Sequence, residues 1–400
     1  MRKIGVLAGL GLLLAAAGCA RAPLPKPQPD AAVEAQKVLV ATDVIWVQGQ
    51  SSGMVVAIVH GDQARALAYG GIDPGDARPA DARTLVRLQS VSKLFAGELM
   101  ADLARQGKVK LADPLTLYAP KGWQAPRTKT AAPPITLVAL ATHTSGLPRE
   151  ATAGPGKAVD EGQPATLASA ARWAWLAQQR RLPPPGVGAL YSNVAFDLLG
   201  DALAAAAKTP YGAALNNEVT GPLGMTDTTA TPSAEQCQRM MAGDPRRKPF
   251  PCVDQSGEAA SGGLYSSAND LALWLRAQLA PAAEPGSRGI SQAVYVRRDQ
   301  LASAVGLDHA GPANGIGLAW IEQDASPGRP RVLEKTGGGD GFLTYVVIDP
   351  VHRAGVFVGF NNVSGHRLGA VAEAADQLVF LLGAAPDSIV IPGAAPVAAH

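Results

Sequence analysis

Leu88-Gln89-Ser90-Val91-Ser92-Lys93-Leu94-Phe95 is the stretch that decides how this chain is read. It opens an apolar-periodic run ending near Gly107, with Leu94, Phe95, Leu99 and Leu103 at helical spacing. A serine and a lysine three apart on a helix share one face, one turn from each other. A hydroxyl is a poor nucleophile at neutral pH and needs a base within hydrogen-bond reach. A lysine is that base when burial or a nearby cation lowers its pKa. Ser90 at a helix N-terminus also aims free backbone N–H groups at a developing oxyanion. Ser92 has Phe95 three residues on, so only Ser90 is in register with a lysine. Taken alone, Ser-x-x-Lys reads equally well as a polar helix start, and about one is expected by chance in a chain this long.

Two segments downstream change that balance. Tyr191-Ser192-Asn193 opens a helix predicted over Val194–Ala207. A tyrosine beside a lysine can relay protons to a leaving amine, and an asparagine amide can hold a substrate carbonyl while bonding a lysine. Lys335-Thr336-Gly337 ends a strand predicted over Arg331–Thr336. Lys335 and Thr336 there suit a carboxylate, and the Lys335 charge is expected to help depress the pKa of Lys93. Gly337 is expected to let substrate lie close to the strand edge. The N–H groups of Ser90 and Gly338 together form an expected oxyanion hole. Singly, Tyr-Ser-Asn is a helix cap and Lys-Thr-Gly a strand end. In this order they form the signature of penicillin-binding proteins and β-lactamases, with Tyr-x-Asn replacing Ser-Asp-Asn.

The chain resembles serine β-lactamases of class C type and the related low-molecular-weight penicillin-binding proteins. Thr142-His143-Thr144-Ser145-Gly146-Leu147-Pro148, Pro222-Leu223-Gly224-Met225-Thr226-Asp227-Thr228 and Ser261-Gly262-Gly263-Leu264-Tyr265-Ser266 carry the same likeness. Within the family, Ala141–Glu150, Tyr191–Leu199, Lys335–Gly339 and the Cys237/Cys252 pair resemble the AmpH-type D-alanyl-D-alanine carboxypeptidases/endopeptidases. The resemblance covers about residues 32–393. It implies an α/β (α+β) fold: a five-stranded antiparallel sheet flanked by helices, a helical subdomain, and the site in the cleft between them. It implies peptidoglycan stem peptides as substrate and β-lactams as acylating mimics. Ser90 would attack the penultimate D-Ala carbonyl, or the carbonyl of the meso-diaminopimelate cross-link. Lys93 would take its proton, and Tyr191 would serve the leaving amine and the deacylating water. Asn193 would position the substrate amide, and Lys335 and Thr336 the terminal carboxylate. No metal or organic cofactor is implied. A β-lactamase, a related esterase and a non-catalytic peptidoglycan or β-lactam sensor are the alternatives. There is no Gly-x-Ser-x-Gly elbow to suggest another nucleophile.

The N-terminus reads as an export signal over residues 1–18. Arg2 and Lys3 form the basic region, and Ile4–Ala17 an apolar core too short for an ordinary span. Ala16-Ala17-Gly18-Cys19 resembles a bacterial lipobox, although leucine is commoner than alanine at its first position. Lipidation of Cys19 is expected, with Ala20 favouring the outer membrane; cleavage at an A-x-A-like site, giving a soluble periplasmic protein, is the alternative. Export permits a disulfide between Cys237 and Cys252. Closing that loop would contribute about 3 kcal/mol in the chain-entropy model. Two unpaired thiols are the alternative. The six histidines are scattered, which argues against a zinc site.

Of 35 basic residues, two lie in the signal, leaving 33 against 33 acidic ones. A mature chain of zero net charge gives no support for a nucleic-acid or polybasic membrane-surface partner. After the Pro-rich spacer Arg21–Asp30, helix is predicted over Ala31–Val47 and strands over Met54–His60 and Ala64–Tyr69. The middle reads as helical with long loops: Ile135–His143, Leu167–Arg180, then Ser267–Leu279 after Ser261-Gly262-Gly263. Strands return over Gly317–Glu322, Arg331–Thr336, Phe342–Ile348 and Gly355–Asn361, before a helix over Gly369–Leu382. The domain is thus expected at 37–393, after an anchor and linker at 19–36, with sheet parts near 37–89 and 255–383, a helical part near 90–254, and a loose tail at 394–400. Ser145 lacks a partnered lysine and reads as structural. Gly337–Gly341 is no phosphate loop, because it opens no helix. Trp173 and Trp175 read as core or cleft wall.

Overall fold

Strands that are apolar at every position must be covered on both faces. Gly53–His60 reads Gly-Met-Val-Val-Ala-Ile-Val-His, and all eight residues are buried. The computed structural model describes residues 31–75, 78–125, 133–151, 168–243, 252–281, 286–361, 363, 365–384 and 391. The expected signal, Cys19, the Pro-rich spacer and the tail lie outside them. The elements that position the site are α1 (Ala31–Gly49), β1 (Gly53–His60), β2 (Gln63–Gly70), α2 (Ser92–Arg105), α3 (Asn193–Ala207), α4 (Ala268–Leu279), β3 (Val332–Gly339), β4 (Phe342–Asp349), β5 (Ala354–Phe360) and α5 (Leu368–Ala384).

The five long strands lie in the order β2-β1-β5-β4-β3, all antiparallel. Three short strands extend the sheet beyond β3: Ile321–Gln323, Gly315–Ile316 and Val296–Arg297. The sheet is therefore wider than the five strands expected. Met54 pairs with Phe360 and His60 with Ala354, so the two chain ends meet inside it, between its second and third strands. Successive side chains point to opposite faces. Met54, Val56, Ile58, Tyr345, Val347, Val356 and Val358 pack against α1 and α5. Val55, Ala57, Leu333, Val346, Ile348 and Phe357 join the larger core with α2 and α4. Each fully buried Val, Ile, Leu or Phe contributes about 1.5–3 kcal/mol.

In that larger core Phe95 stacks on Trp274 and Trp274 on Trp320, at centroid distances of 5.0 and 6.0 Å. Trp173 and Trp175 are both buried in it. The continuous strand expected over Gly317–Glu322 is instead broken by a turn. Gly317 N–H donates to the Trp320 carbonyl at 2.8 Å, and Ala319 adopts a left-handed φ of 68°. The physical reason is packing. Leu318 and Trp320 are buried together, and the Leu318 carbonyl lies where a Cβ on Gly97 of α2 would stand, 2.4 Å away. The Cys237 and Cys252 sulfurs are bonded, with Cα atoms 5.6 Å apart. Among the described residues no helix is long and apolar enough to cross a membrane.

Candidate active site

Ser90 lies in a 3₁₀ turn, Gln89–Val91, that runs directly into α2. The residue before it, Gln89, has a φ of 52°, a left-handed conformation that costs a non-glycine residue about 1–3 kcal/mol. Its neighbours hold it there. Gln89 Nε2 donates to the Gly339 carbonyl at 3.0 Å, Thr344 Oγ1 donates to the Leu88 carbonyl at 2.8 Å, and Leu88 N–H donates to Leu264. The Ser90 backbone is thereby wedged between β3, β4 and Leu264. Ser92 Oγ accepts from Leu264 N–H at 3.2 Å, a structural bond, so the two serines of this stretch divide their tasks.

Lys93 is fully buried. Its Nζ lies 2.6 Å from Asn193 Oδ1, 2.5 Å from the Ser261 carbonyl and 3.3 Å from Ser90 Oγ. Two of these partners are pure acceptors. A neutral amine donates to both and keeps its single lone pair for the Ser90 hydroxyl. Burial pushes the Lys93 pKa down to about 7, against the opposing pull of Asp197 and Glu150. Arg149 adds to the lowering at Lys93, and the repulsion between Lys93 and Lys335 helps lower the pKa of Lys335. Tyr191 O–H donates to Ser90 Oγ at 2.5 Å, which completes a path Asn193–Lys93–Ser90–Tyr191.

The Tyr191-Ser192-Asn193 segment is both a cap and a site. Ser192 Oγ accepts from Ala195 N–H and caps α3, while Tyr191 and Asn193 face the Ser90 stretch. Two cations and the Lys93 amine surround the Tyr191 ring: Lys335 Nζ at 5.0 Å, Arg149 Cζ at 5.0 Å and Lys93 Nζ at 4.9 Å from its centroid. His143 stacks on the ring at 4.5 Å, and its Nδ1 accepts from Ser192 N–H at 3.1 Å. Burial holds His143 well below the ordinary histidine pKa, so it packs as a neutral ring.

Lys335 is buried in β3, and burial lowers its pKa too. Among the described residues its Nζ makes no hydrogen bond or ion pair, so its charge is left for an anion. The cleft has a volume of about 370 Å³ and is lined by Ser90, Tyr191, Thr336, Gly337, Gly338 and His309 among others. Gly337 has a second role. A Cβ there would stand 2.2 Å from Thr344 Oγ1 and 2.7 Å from the Leu88 carbonyl. Its bareness admits the protein's own Ser90 segment to β3. Asn193 Nδ2 is occupied as well, donating to Glu150 Oε1.

The sequence reading thus missed the Ser261 carbonyl, the Gln89 backbone, His143, Arg149, Glu150 and His309. Gly-Leu-Pro followed by an adjacent Arg-Glu pair was the one local signal. The Ser261 carbonyl belongs to a residue 168 positions from Lys93, and nothing local announces that contact.

A family model described as Beta-lactamase matches residues 30–380. The D-alanyl-D-alanine-carboxypeptidase/endopeptidase AmpH of Escherichia coli (strain K12) is 37% identical over 339 residues, 84% of this chain and 86% of that protein. The crystal structure of a beta-lactamase/D-alanine carboxypeptidase from Yersinia pestis, complexed with citrate, superposes with a TM-score of 0.80 at 38% identity, over 88% of this chain and 99% of that one. A class C beta lactamase from Rhodobacter sphaeroides shares the fold at a TM-score of 0.66 and 23% identity, over 85% of this chain and 98% of that one. The chain belongs to the β-lactamase family.

Proposed function

We propose that the protein is a serine D-alanyl-D-alanine carboxypeptidase/endopeptidase acting on peptidoglycan stem peptides. The observation that carries the reading is the unbroken hydrogen-bond path from Asn193 through Lys93 and Ser90 to Tyr191, beside Lys335, which pairs with no carboxylate among the described residues. Ser90 Oγ attacks the D-alanyl carbonyl and passes its proton to the neutral Lys93 amine. The N–H groups of Ser90 and Gly338 hold the oxyanion; losing one such donor costs about 2.7–4 kcal/mol. Tyr191 O–H delivers a proton to the leaving amine, and the amine departs to leave an acyl ester on Ser90. Water, deprotonated by the same Tyr191–Lys93 pair, hydrolyses the ester. Lys335 and Thr336 bind the carboxylate of the leaving D-alanine. The site of action is the periplasmic side of a bacterial envelope, with the chain held by lipid at Cys19 or free in the periplasm.

Mass spectrometry of muropeptides incubated with the protein, beside a Ser90→Ala control, tests this. Loss of one D-Ala from pentapeptides, or conversion of cross-linked dimers to monomers, is expected only with the intact serine. The likeness to the Yersinia pestis beta-lactamase/D-alanine carboxypeptidase favours one second reading, β-lactam hydrolysis. Intact muropeptides together with rapid turnover of a chromogenic cephalosporin would establish that reading instead.

A further inference from the structure

The turn that follows Leu147 is pinned to the start of α3. Ser192 Oγ donates to the Pro148 carbonyl at 2.6 Å, and the Asn193 and Val194 N–H groups donate to the Arg149 carbonyl at 2.8 and 3.3 Å. Two side chains of opposite charge are therefore held at the cleft mouth by their backbone. They are only loosely paired with each other, Arg149 Nε lying 3.9 Å from Glu150 Oε1, and each is about half exposed, at 58% and 46%. Arg149 spreads over the Tyr191 ring, and Glu150 takes the Asn193 Nδ2 donor. That donor is the one the mechanism needs for the substrate amide carbonyl, so substrate must displace the Glu150 carboxylate. The displaced carboxylate stays within reach and, among the described residues, keeps only its loose pairing with Arg149.

We propose that Arg149 and Glu150 recognise a zwitterionic amino-acid head on the acyl half of the substrate, its ammonium on Glu150 and its carboxylate on Arg149. This rests on the peptidase reading, and it adds which stem-peptide side chain is preferred. An adjacent plus–minus pair suits a zwitterion better than a simple cation or anion, because either alone meets one attractive and one repulsive neighbour.

The test uses three peptides ending in D-Ala-D-Ala: one preceded by an α-N-acetylated meso-diaminopimelyl residue, one with its free side-chain amine acetylated, and one with its free carboxylate amidated. Glu150→Gln keeps an acceptor for Asn193 and removes only the charge. It is expected to cut the preference for the free over the acetylated amine about two- to fivefold in kcat/KM, the range of a half-exposed ion pair. Arg149→Gln is expected to do the same to the preference for carboxylate over carboxamide. Added salt should weaken both preferences in the wild type. Unchanged ratios overturn the proposal. So does an equal slowing of both peptides by Glu150→Gln, which would make Glu150 a mere prop for Asn193. If the wild type cleaves none of the peptides, the peptidase reading falls by itself. The Glu150→Gln comparison is then read from Ser90 acylation by an aminopenicillin and its N-acetyl derivative, where an unchanged ratio overturns the proposal.

Discussion

Glu334 and Lys335 are neighbours on β3 whose side chains point to opposite faces of the sheet. Lys335 faces the cleft, near Tyr191, and among the described residues it forms no ion pair. Glu334 faces α5, in a buried acidic patch where Tyr345 O–H donates to Asp376 Oδ1 at 2.8 Å and Arg329 pairs with Asp376 and Glu373. Both charges are expensive to bury, but the two faces meet that cost differently. On the back face burial pushes Glu334 up to about 8, so at neutral pH it sheds its charge by holding a proton, while Asp376, raised only to about 6, keeps its charge against Arg329. On the front face Lys93 falls to about 7 and becomes a base. The same desolvation that silences an acid on one side arms an amine on the other, and what separates them is access to a cleft.

That contrast can be broken or sharpened by experiment. The largest effect is expected from Lys335→Ala, which removes a charge-assisted contact to the terminal carboxylate. It should lower kcat/KM about 10- to 100-fold, and the loss should vanish for a peptide whose C-terminus is amidated. Equal losses on both peptides would make Lys335 a structural residue like its neighbour. Next comes the pH profile. A base of pKa about 7 must be neutral to take the Ser90 proton, so acylation should fall about tenfold per pH unit below that value. A limb centred beyond pH 9 would mean that burial has not armed Lys93.

Gly337→Ala probes how the front face is assembled. The added methyl meets Thr344 Oγ1 and the Leu88 carbonyl. A cost of about 1–3 kcal/mol in stability is expected from such overpacking, together with lost acylation as the Ser90 segment is pushed off β3. Unaltered denaturation midpoint and activity would contradict the close fit. The smallest effect at pH 7 belongs to Glu334→Gln, since glutamine imitates a carboxyl already protonated there. The folded pKa exceeds the unfolded value, so the folded state binds the extra proton between them. Wild-type stability contributed by Glu334 is therefore full below about 4.5 and is lost as pH rises through about 8. The variant lacks that slope, so its melting temperature should gain on the wild type as pH rises from 5 to 8. A constant difference would place Glu334 in its ionised form.

The catalytic constellation was legible because each part carries its own local chemistry. Ser90 and Lys93 sit one helical turn apart, Tyr191 and Asn193 flank a capping serine, and Lys335 and Thr336 precede a run of glycines in a strand. The long strands were legible because β1, β4 and β5 are apolar over most of their length and bounded by turns. What escaped was set by tertiary fit. The Gln89 backbone adopts a conformation its residue type disfavours, and only contacts from Gly339, Thr344 and Leu264 hold it. The turn inside Gly317–Glu322 answers to a glycine on α2 far away in sequence. His309 reaches the cleft from a loop with no periodicity to read.

The seam between β1 and β5 has a consequence for how the chain reaches its native state. β1 is made early and its outer partner β2 follows at once, but its inner partner begins only at Ala354. Until those last residues are available, a strand buried on both faces in the finished protein has an open row of N–H and C=O groups. Closing this seam joins the most distant parts of the chain, which makes it a slow, late step. A chain halted before Ala354 is then an adhesive species, one that a holding chaperone or a protease must meet before another copy does.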